Sequence, residues 1–299
     1  MKVLVTGGSG FLGKRLKTYQ PDWIYISSGD YDLTDKLQTR KMFQDYKPDA
    51  VVHLAARVGG IKDNAENQVE FFEQNTLINL NVVSEAYRAG IPRLLASLST
   101  CAYPNKLSRY PFYENELFNG PPAPTNFSYG FSKRMLHALI LSYRKQYGVN
   151  YSTFSPSNIY GPEDHFDSEK SHFVPALISK VSKIDDYGVL ELWGNGKPLR
   201  QQLYVDDLCK IIPILLDRHN DEQPLIVAPS ENLSIDDMAN ILLQQVNKNV
   251  KIVYNNELDG QFRKDGSNHR LLALLGGSFK FTSFREGVMI TYQWYNNVK

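Results

Sequence analysis

Short apolar, β-branched runs alternate with longer amphipathic stretches through the first half of the chain. Runs at 3–6, 23–26, 50–54, 93–98 and 151–155 predict strands, and the segments 11–19, 37–46, 69–89 and 132–147 predict helices. Strand–helix alternation of this kind predicts a parallel sheet with helices on both faces, because parallel neighbours need crossover connections. From about residue 161 the pattern loosens. Helices predicted at 172–181, 206–216, 235–246 and 284–295 stand between loops rich in Gly, Asp and Asn, with turns expected at 193–196 and 259–262. No long linker, repeat or low-complexity tract separates the halves. The expectation is an α/β protein: a doubly wound parallel sheet over residues 1–160, with some later segments returning to it, and a smaller mixed α/β substrate lobe over residues 161–299. Ligands of open sheets bind beyond the carboxyl ends of the strands, which places the cleft there.

A chain of 299 residues is long enough for this arrangement. Its 42% hydrophobic and 22% charged residues are those of a soluble globular protein, and no apolar run approaches the ~20 residues of a membrane span. A formal net charge of +1 gives no reason to expect nucleic acid or an acidic membrane as partner. Two cysteines, Cys101 and Cys209, make no disulfide framework and favour a reducing compartment. A cytoplasmic location is expected. Cys209 falls on an apolar helical stretch and reads as core.

Candidate chemistry begins immediately after the first strand. Gly7, Gly10 and Gly13, with Phe11 and Leu12 opening a helix, form a loop whose backbone can approach a pyrophosphate while the helix start faces its charge. The expected fold is therefore a Rossmann-type, NADP-binding one. The second strand ends Ser27-Ser28 with no carboxylate before Asp30. Small hydroxyl groups leave room for a 2′-phosphate, with Lys14 or Arg15 as countercharge, which favours NADP over NAD. Asp32 and Leu33 are candidates for the adenine edge. Leu54, Ala55 and Ala56 offer small or apolar surface where the cofactor passes. No metal site is read.

The catalytic candidates are Ser99, Tyr129 and Lys133. Tyr129 and Lys133 are four apart and share a helix face. An ammonium near the phenol is expected to lower its pKa from about 10 toward neutrality. Tyr129 then hands a proton to a carbonyl oxygen as hydride arrives at carbon, with Ser99 hydrogen-bonding the same oxygen. Cys101, two residues after Ser99, adds a second acid/base group that a simple dehydrogenase does not need. Taken alone, Cys101 also reads as a small buried hydrophobe, and His172, just before a helix, as a capping residue.

Together these residues resemble the extended short-chain dehydrogenase/reductases. Within them the chain is similar to the GDP-L-fucose synthase branch, NADPH-dependent 3,5-epimerase/4-reductases of GDP-4-keto-6-deoxy-D-mannose. The resemblance runs nearly end to end. It is carried by Val58-Gly59-Gly60-Ile61, Ser99-Thr100-Cys101, Asn126 with Tyr129 and Lys133, and Asn158-Ile159-Tyr160-Gly161-Pro162. Further on it is carried by Ser171-His172-Phe173-Val174-Pro175, Trp193-Gly194-Asn195-Gly196 and Asp259-Gly260-Gln261-Phe262-Arg263-Lys264. It implies that Cys101 and His172 carry the epimerisation, with Cys101 as base and His172 as acid, the reverse staying open. It places Asn126, Lys180, Trp193, Arg200 and Lys264 around the sugar nucleotide, the cations toward diphosphate and nucleoside and Trp193 over ribose or base. Pro156, Asn158, Ile159 and His172 join Tyr129 and Lys133 as cofactor-binding candidates. A homodimer through the helices at 69–89 and 132–147 is expected from the superfamily. Departures are Gln202 in place of an apolar residue, His165 in place of asparagine, and Gly130 after Tyr129, which is expected to loosen its helix turn. Two rivals are a C4-reductase or epimerase for another GDP-4-keto sugar, such as a heptose, and a non-catalytic NADP-binding regulatory protein. The first, without epimerisation, would not need Cys101 and His172. The second would not need Ser99, Tyr129 and Lys133 together.

Overall fold

The computed structural model describes residues 1–167, 171–255, 261–277 and 279–298. The first half runs β1 (Val3–Thr6), α1 (Phe11–Tyr19), β2 (Ile24–Ile26), α2 (Lys36–Tyr46), β3 (Ala50–His53), α3 (Ile61–Glu66), α4 (Gln68–Arg88), β4 (Arg93–Ser97), α5 (Phe127–Tyr147) and β5 (Asn150–Pro156). The second half continues through β6 (Asn158–Tyr160), α6 (Phe173–Lys183), β7 (Val189–Leu192), β8 (Leu199–Arg200), β9 (Gln202–Tyr204), α7 (Val205–Arg218), β10 (Leu225–Val227), β11 (Leu233–Ser234), α8 (Ile235–Gln245), β12 (Lys251–Tyr254), α9 (His269–Leu274) and α10 (Phe284–Asn297).

Six strands form one sheet in the order β10-β5-β4-β3-β1-β2, parallel at every pairing. Successive side chains of a strand point to opposite faces, so a sheet covered on both sides is apolar at consecutive positions. In β1, Leu4 enters one core cluster while Val3 and Val5 enter the other. Met42 and Phe43 of α2, Val82 and Val83 of α4 and Leu136 and Ile140 of α5 cover the first face. Leu16 of α1 and Leu208, Ile211, Ile212 and Leu215 of α7 cover the second. A third cluster joins α6, α8 and α10 through Val174, Leu177, Ile178, Met238, Leu242 and Val288. Among the described residues three two-stranded pairings, β11-β8, β12-β7 and β6-β9, stand outside the main sheet.

Arg93 fastens α7 to the sheet. Its guanidinium donates to the carbonyls of Leu215, Leu216 and His219 at the helix end, and to Asn150 and Ser152 of β5. The last carbonyls of a helix lack a full set of intrahelical partners, and Arg93 meets the Leu216 carbonyl while sharing that of Leu215 with His219 N and that of His219 with Ser152 Oγ.

The predicted elements of the first half are present with ends shifted by a few residues. The largest shift is in α5, which begins at Phe127 rather than 132, because a single 3-10 turn over Pro124–Asn126 feeds directly into it. That brings Tyr129 into the first helical turn. Among the described residues, α3, α9 and the strands β6 to β12 were not predicted, each being only two to six residues long. β10 has only three residues, too few for a period to register, and α3 is little more than one turn. The turn at 193–196 is present, with Gly194 and Gly196 at positive φ. In the turn expected at 259–262, Asp259 and Gly260 lie outside the described residues.

Candidate active site

The strand order reverses between β1 and β3, and the glycine loop sits at that switch point. Gly7 has φ +77°, and a Cβ there would meet the backbone nitrogen of Ala55 at 2.9 Å. The loops after β1 and β3 therefore lie backbone against backbone, Ala55 N donating to Thr6 Oγ1 at 3.2 Å. Gly13 is buried against the same loop, and Gly10, the N-cap of α1, carries no capping side chain, which leaves first-turn N–H groups for an anion. Phe11 and Leu12 are half-buried in that turn, and Leu54, Ala55 and Ala56 leave the end of β3. This cradle fits a dinucleotide diphosphate.

Around the expected 2′-phosphate position the side chains are committed differently from the sequence expectation. Arg15 is held by Asp206 of α7 at 2.5 and 2.8 Å, so of the two candidate countercharges the exposed one is Lys14. Asp30 folds back to accept from both Ser27 N and Ser27 Oγ, placing a carboxylate beside the hydroxyl, with Ser28 next in the turn. Asp32 accepts from Thr34 N and Oγ1, and Leu33 is buried in the core, so both serve the loop itself.

The catalytic candidates converge where β4 ends and α5 begins. Ser99 caps a 3-10 turn over Thr100–Ala102, its hydroxyl oxygen accepting from Cys101 N at 3.1 Å. That leaves the Ser99 proton to donate, and the hydroxyl lies within hydrogen-bonding reach of Tyr129. Lys133 is buried, its ammonium 5.7 Å from the Tyr129 ring centroid and donating to the Ser97 carbonyl at 2.8 Å.

The expected depression of the Tyr129 pKa is not what the geometry produces. Burial, and then the charge of nearby Cys101, push the phenol up, against the lowering effect of Ser99. Lys133 donates to the Ser97 carbonyl instead of to the phenol, and burial brings its own pKa down to about 8. Tyr129 is held protonated, the form a proton donor needs.

A cavity of about 220 Å³ opens beside this group. Cys101 and His172 both line it, as do Asn126, Lys180, Trp193, Arg200 and Lys264. Asn158 and Ile159 of β6 lie in its wall, next to Pro156 at the end of β5, so cofactor and substrate candidates share that wall. His172 is the N-cap residue of α6, yet its side chain makes no capping bond and is open to the cavity. Surrounding protein, and then the charge of Lys264, lower its pKa. For Cys101, burial raises the thiol pKa, but Lys264 by charge and hydrogen bond, helped by Ser99 and Arg200, brings it below its ordinary value. Lys180, two turns along α6 from His172, donates to the Glu191 carbonyl at 3.0 Å. Cys209 is fully buried in the second core cluster, its thiol pushed up to about 12 by burial.

Sequence reasoning assigned no role to Gly59, Gly60, Thr125, Ser171, Gln202 or Gln261, which also line the cavity. The signal was available for Gln202, a polar departure at an expected apolar position. Gly130 also has a different role from the one expected. A Cβ there would meet Pro122 at 2.8 Å and the Cys101 carbonyl at 3.0 Å, so glycine is what lets the Cys101 turn pack against α5. Gly130→Ala is expected to destabilise the protein by about 1–3 kcal/mol through overpacking, despite alanine's better helix propensity. Denaturant unfolding that gave equal or greater stability would contradict this. His165 is exposed in the loop before α6.

Comparison with known proteins agrees with this geometry. The pattern of the NAD dependent epimerase/dehydratase family matches residues 3–228. A GDP-L-fucose synthase of Dictyostelium discoideum is 36% identical over 98% of this chain and 94% of its own length. A probable GDP-L-fucose synthase of Drosophila melanogaster is 34% identical over 98% and 97%. The crystal structure of a GDP-L-fucose synthetase from Naegleria fowleri bound to NADP superposes with a TM-score of 0.88 at 31% identity, covering 99% of this chain and 92% of that one. With its glycine loop, its serine, tyrosine and lysine, and relatives of this identity along nearly its whole length, the chain belongs to the GDP-L-fucose synthase branch of the NAD dependent epimerase/dehydratase family.

Proposed function

We propose that this protein converts GDP-4-keto-6-deoxy-D-mannose to GDP-L-fucose by NADPH-dependent epimerisation at carbons 3 and 5 and reduction at carbon 4. The observation that carries the reading is that Cys101 and His172 line one cavity beside Ser99 and Tyr129. A thiol and an imidazole are suited to move carbon-bound protons near neutral pH, which reduction alone does not require.

Bound NADPH supplies the hydride that reduces carbon 4. Gly7, Gly10 and Gly13 would hold its diphosphate, Lys14 would supply charge for the 2′-phosphate, and Lys133, Asn158 and Ile159 would serve the nicotinamide half. In this division, residues 1–160, joined by α7 and β10, serve the cofactor, and residues 161–299 serve mainly the substrate. The ketone at carbon 4 acidifies the hydrogens on carbons 3 and 5. Cys101 removes such a proton from one face and His172 returns one from the other. Ser99 and Tyr129 steady the carbonyl oxygen while it carries charge, and Tyr129 finally delivers its proton there. Asn126 meets the sugar, Lys180 and Arg200 meet the diphosphate, and Trp193 offers a flat face to ribose or base.

Incubation with GDP-4-keto-6-deoxy-D-mannose and NADPH, with the sugar identified by NMR, tests the reading. GDP-L-fucose is expected. A reduced sugar with unchanged carbons 3 and 5 would favour the reductase reading, and no NADPH consumption with any GDP-4-keto sugar would favour a non-catalytic NADP-binding protein.

The protein acts as a homodimer in this reading. Val69, Phe72, Leu77 and Leu80 expose an apolar face along α4, with Phe127 and Tyr147 exposed on α5. Sedimentation at the mass of one chain, 34.1 kDa, would contradict it. Among the described residues no helix is long and apolar enough to cross a membrane. A cytoplasmic location completes the reading, and recovery in the membrane or secreted fraction would contradict it.

A further inference from the structure

Lys264 differs from the other cations of the cavity in what it touches. Its ammonium donates to Cys101 Sγ at 2.7 Å, across a sequence separation of 163 residues, and the residue is only 8% exposed. A buried ammonium is costly without a partner that carries, or can take on, negative charge. Among the described residues, the polar side-chain atom that meets it is this sulfur.

The segment bearing Lys264 is clamped from two sides. Toward the substrate lobe, Leu199 N donates to the Phe262 carbonyl at 2.9 Å, and the Gln201 amide bonds both the N–H and the carbonyl of Gly266. Toward the cysteine turn, Phe112 N donates to the Asp265 carbonyl at 2.9 Å and Ser267 N to the Phe112 carbonyl at 2.7 Å. Gln261 Nε2 reaches the carbonyls of Pro104 and Asn105, just beyond Cys101. A lysine placed only for a flexible diphosphate would not need this two-sided fixation.

We propose that Lys264 is a positioning residue that holds Cys101 as the thiolate. The proposal rests on Cys101 being a proton-transfer group, as inferred above. The charged and titratable groups facing the sulfur act in the same or a lesser sense. Arg200 from β8 adds a second favourable charge, Ser99 adds a hydrogen bond, and Tyr129 from α5 stays a neutral phenol. The same Lys264 charge disfavours the imidazolium of His172 at the start of α6, so a proton carried there is readily given to carbon.

The test compares the full-length protein with Lys264→Met, which keeps the chain length and removes the charge, and Lys264→Arg, which restores it. The readout is the rate of Cys101 alkylation by iodoacetamide against pH. Cys209 is buried, and Cys101→Ser supplies the blank. In Lys264→Met the midpoint is expected to rise by about one pH unit or more, and to return toward the parent value in Lys264→Arg. Solvent-deuterium exchange at carbons 3 and 5 is expected to fall about tenfold or more at pH 7 in Lys264→Met and to recover at higher pH. An unchanged alkylation profile in Lys264→Met, even with a raised KM for the sugar nucleotide, would make Lys264 a substrate ligand and overturn the proposal. Undiminished exchange in Cys101→Ser would overturn the underlying role of Cys101 instead, whatever Lys264 does.

Discussion

Replacing Tyr129 by Phe is expected to lower NADPH-dependent reduction by about 10²–10⁴-fold, the range over which a positioned general acid acts. The variant loses one oxygen and keeps the ring, so the packing at the start of α5 and the loop against Cys101 should survive. What disappears is the proton that carbon 4 needs on its oxygen. Because burial keeps the phenol protonated, the loss is of a donor, and raising the pH within the neutral range should not rescue it. NADPH binding, followed by its fluorescence, should remain within a few-fold of the parent, since the glycine loop after β1 is untouched. Exchange of solvent deuterium into carbons 3 and 5 should persist at a reduced rate, because Cys101 and His172 are untouched while Ser99 alone is left to steady the enolate oxygen. Reduction within tenfold of the parent would remove Tyr129 as the donor.

The second large effect is at Cys101. In Cys101→Ser an alcohol, which does not ionise near neutral pH, replaces a thiol that Lys264 and Arg200 bring below its ordinary pKa. Exchange at carbons 3 and 5 is expected to fall by about 10²–10⁴-fold. Ser99, Tyr129 and Lys133 remain, so slow direct reduction of the unepimerised ketone should become visible as a different product. The two variants thus separate the two chemistries: one loses reduction while slower exchange remains, the other loses exchange while slow reduction remains. A Cys101→Ser protein that still made the fully epimerised product would contradict this division.

Much of this arrangement was legible in the chain. Five of the six strands of the sheet follow from buried runs separated by helical periods, because a strand covered on both faces must be apolar at consecutive positions, whereas β10 is too short to register. The order of glycine loop, Ser99, Cys101 and Tyr129 along the chain put the site at the carboxyl ends of the first strands. Contacts set by distant segments were not legible. Arg15 looked like a phosphate partner from its place after the glycine loop, but its guanidinium is taken by Asp206, 191 residues away. Lys133 has the right spacing to act on Tyr129, yet a carbonyl of β4 takes its proton donor, and no spacing rule reports that choice. Gly130 looked like a weakened helix turn and is instead a place where α5 packs tightly on Pro122 and the cysteine turn. The contact between Lys264 and Cys101 joins segments with no local pattern in common, and only the folded chain brings them together.

A sulfur and an imidazole must work on the same sugar that is then reduced. The direct measurement is a reaction of the unmodified protein with GDP-4-keto-6-deoxy-D-mannose and NADPH in deuterium oxide, with the product resolved by NMR. A single reduced sugar carrying solvent deuterium at carbons 3 and 5, and unlabelled hydrogen at carbon 4, is the predicted result. A reduced sugar that retains its original hydrogens at carbons 3 and 5 would contradict it.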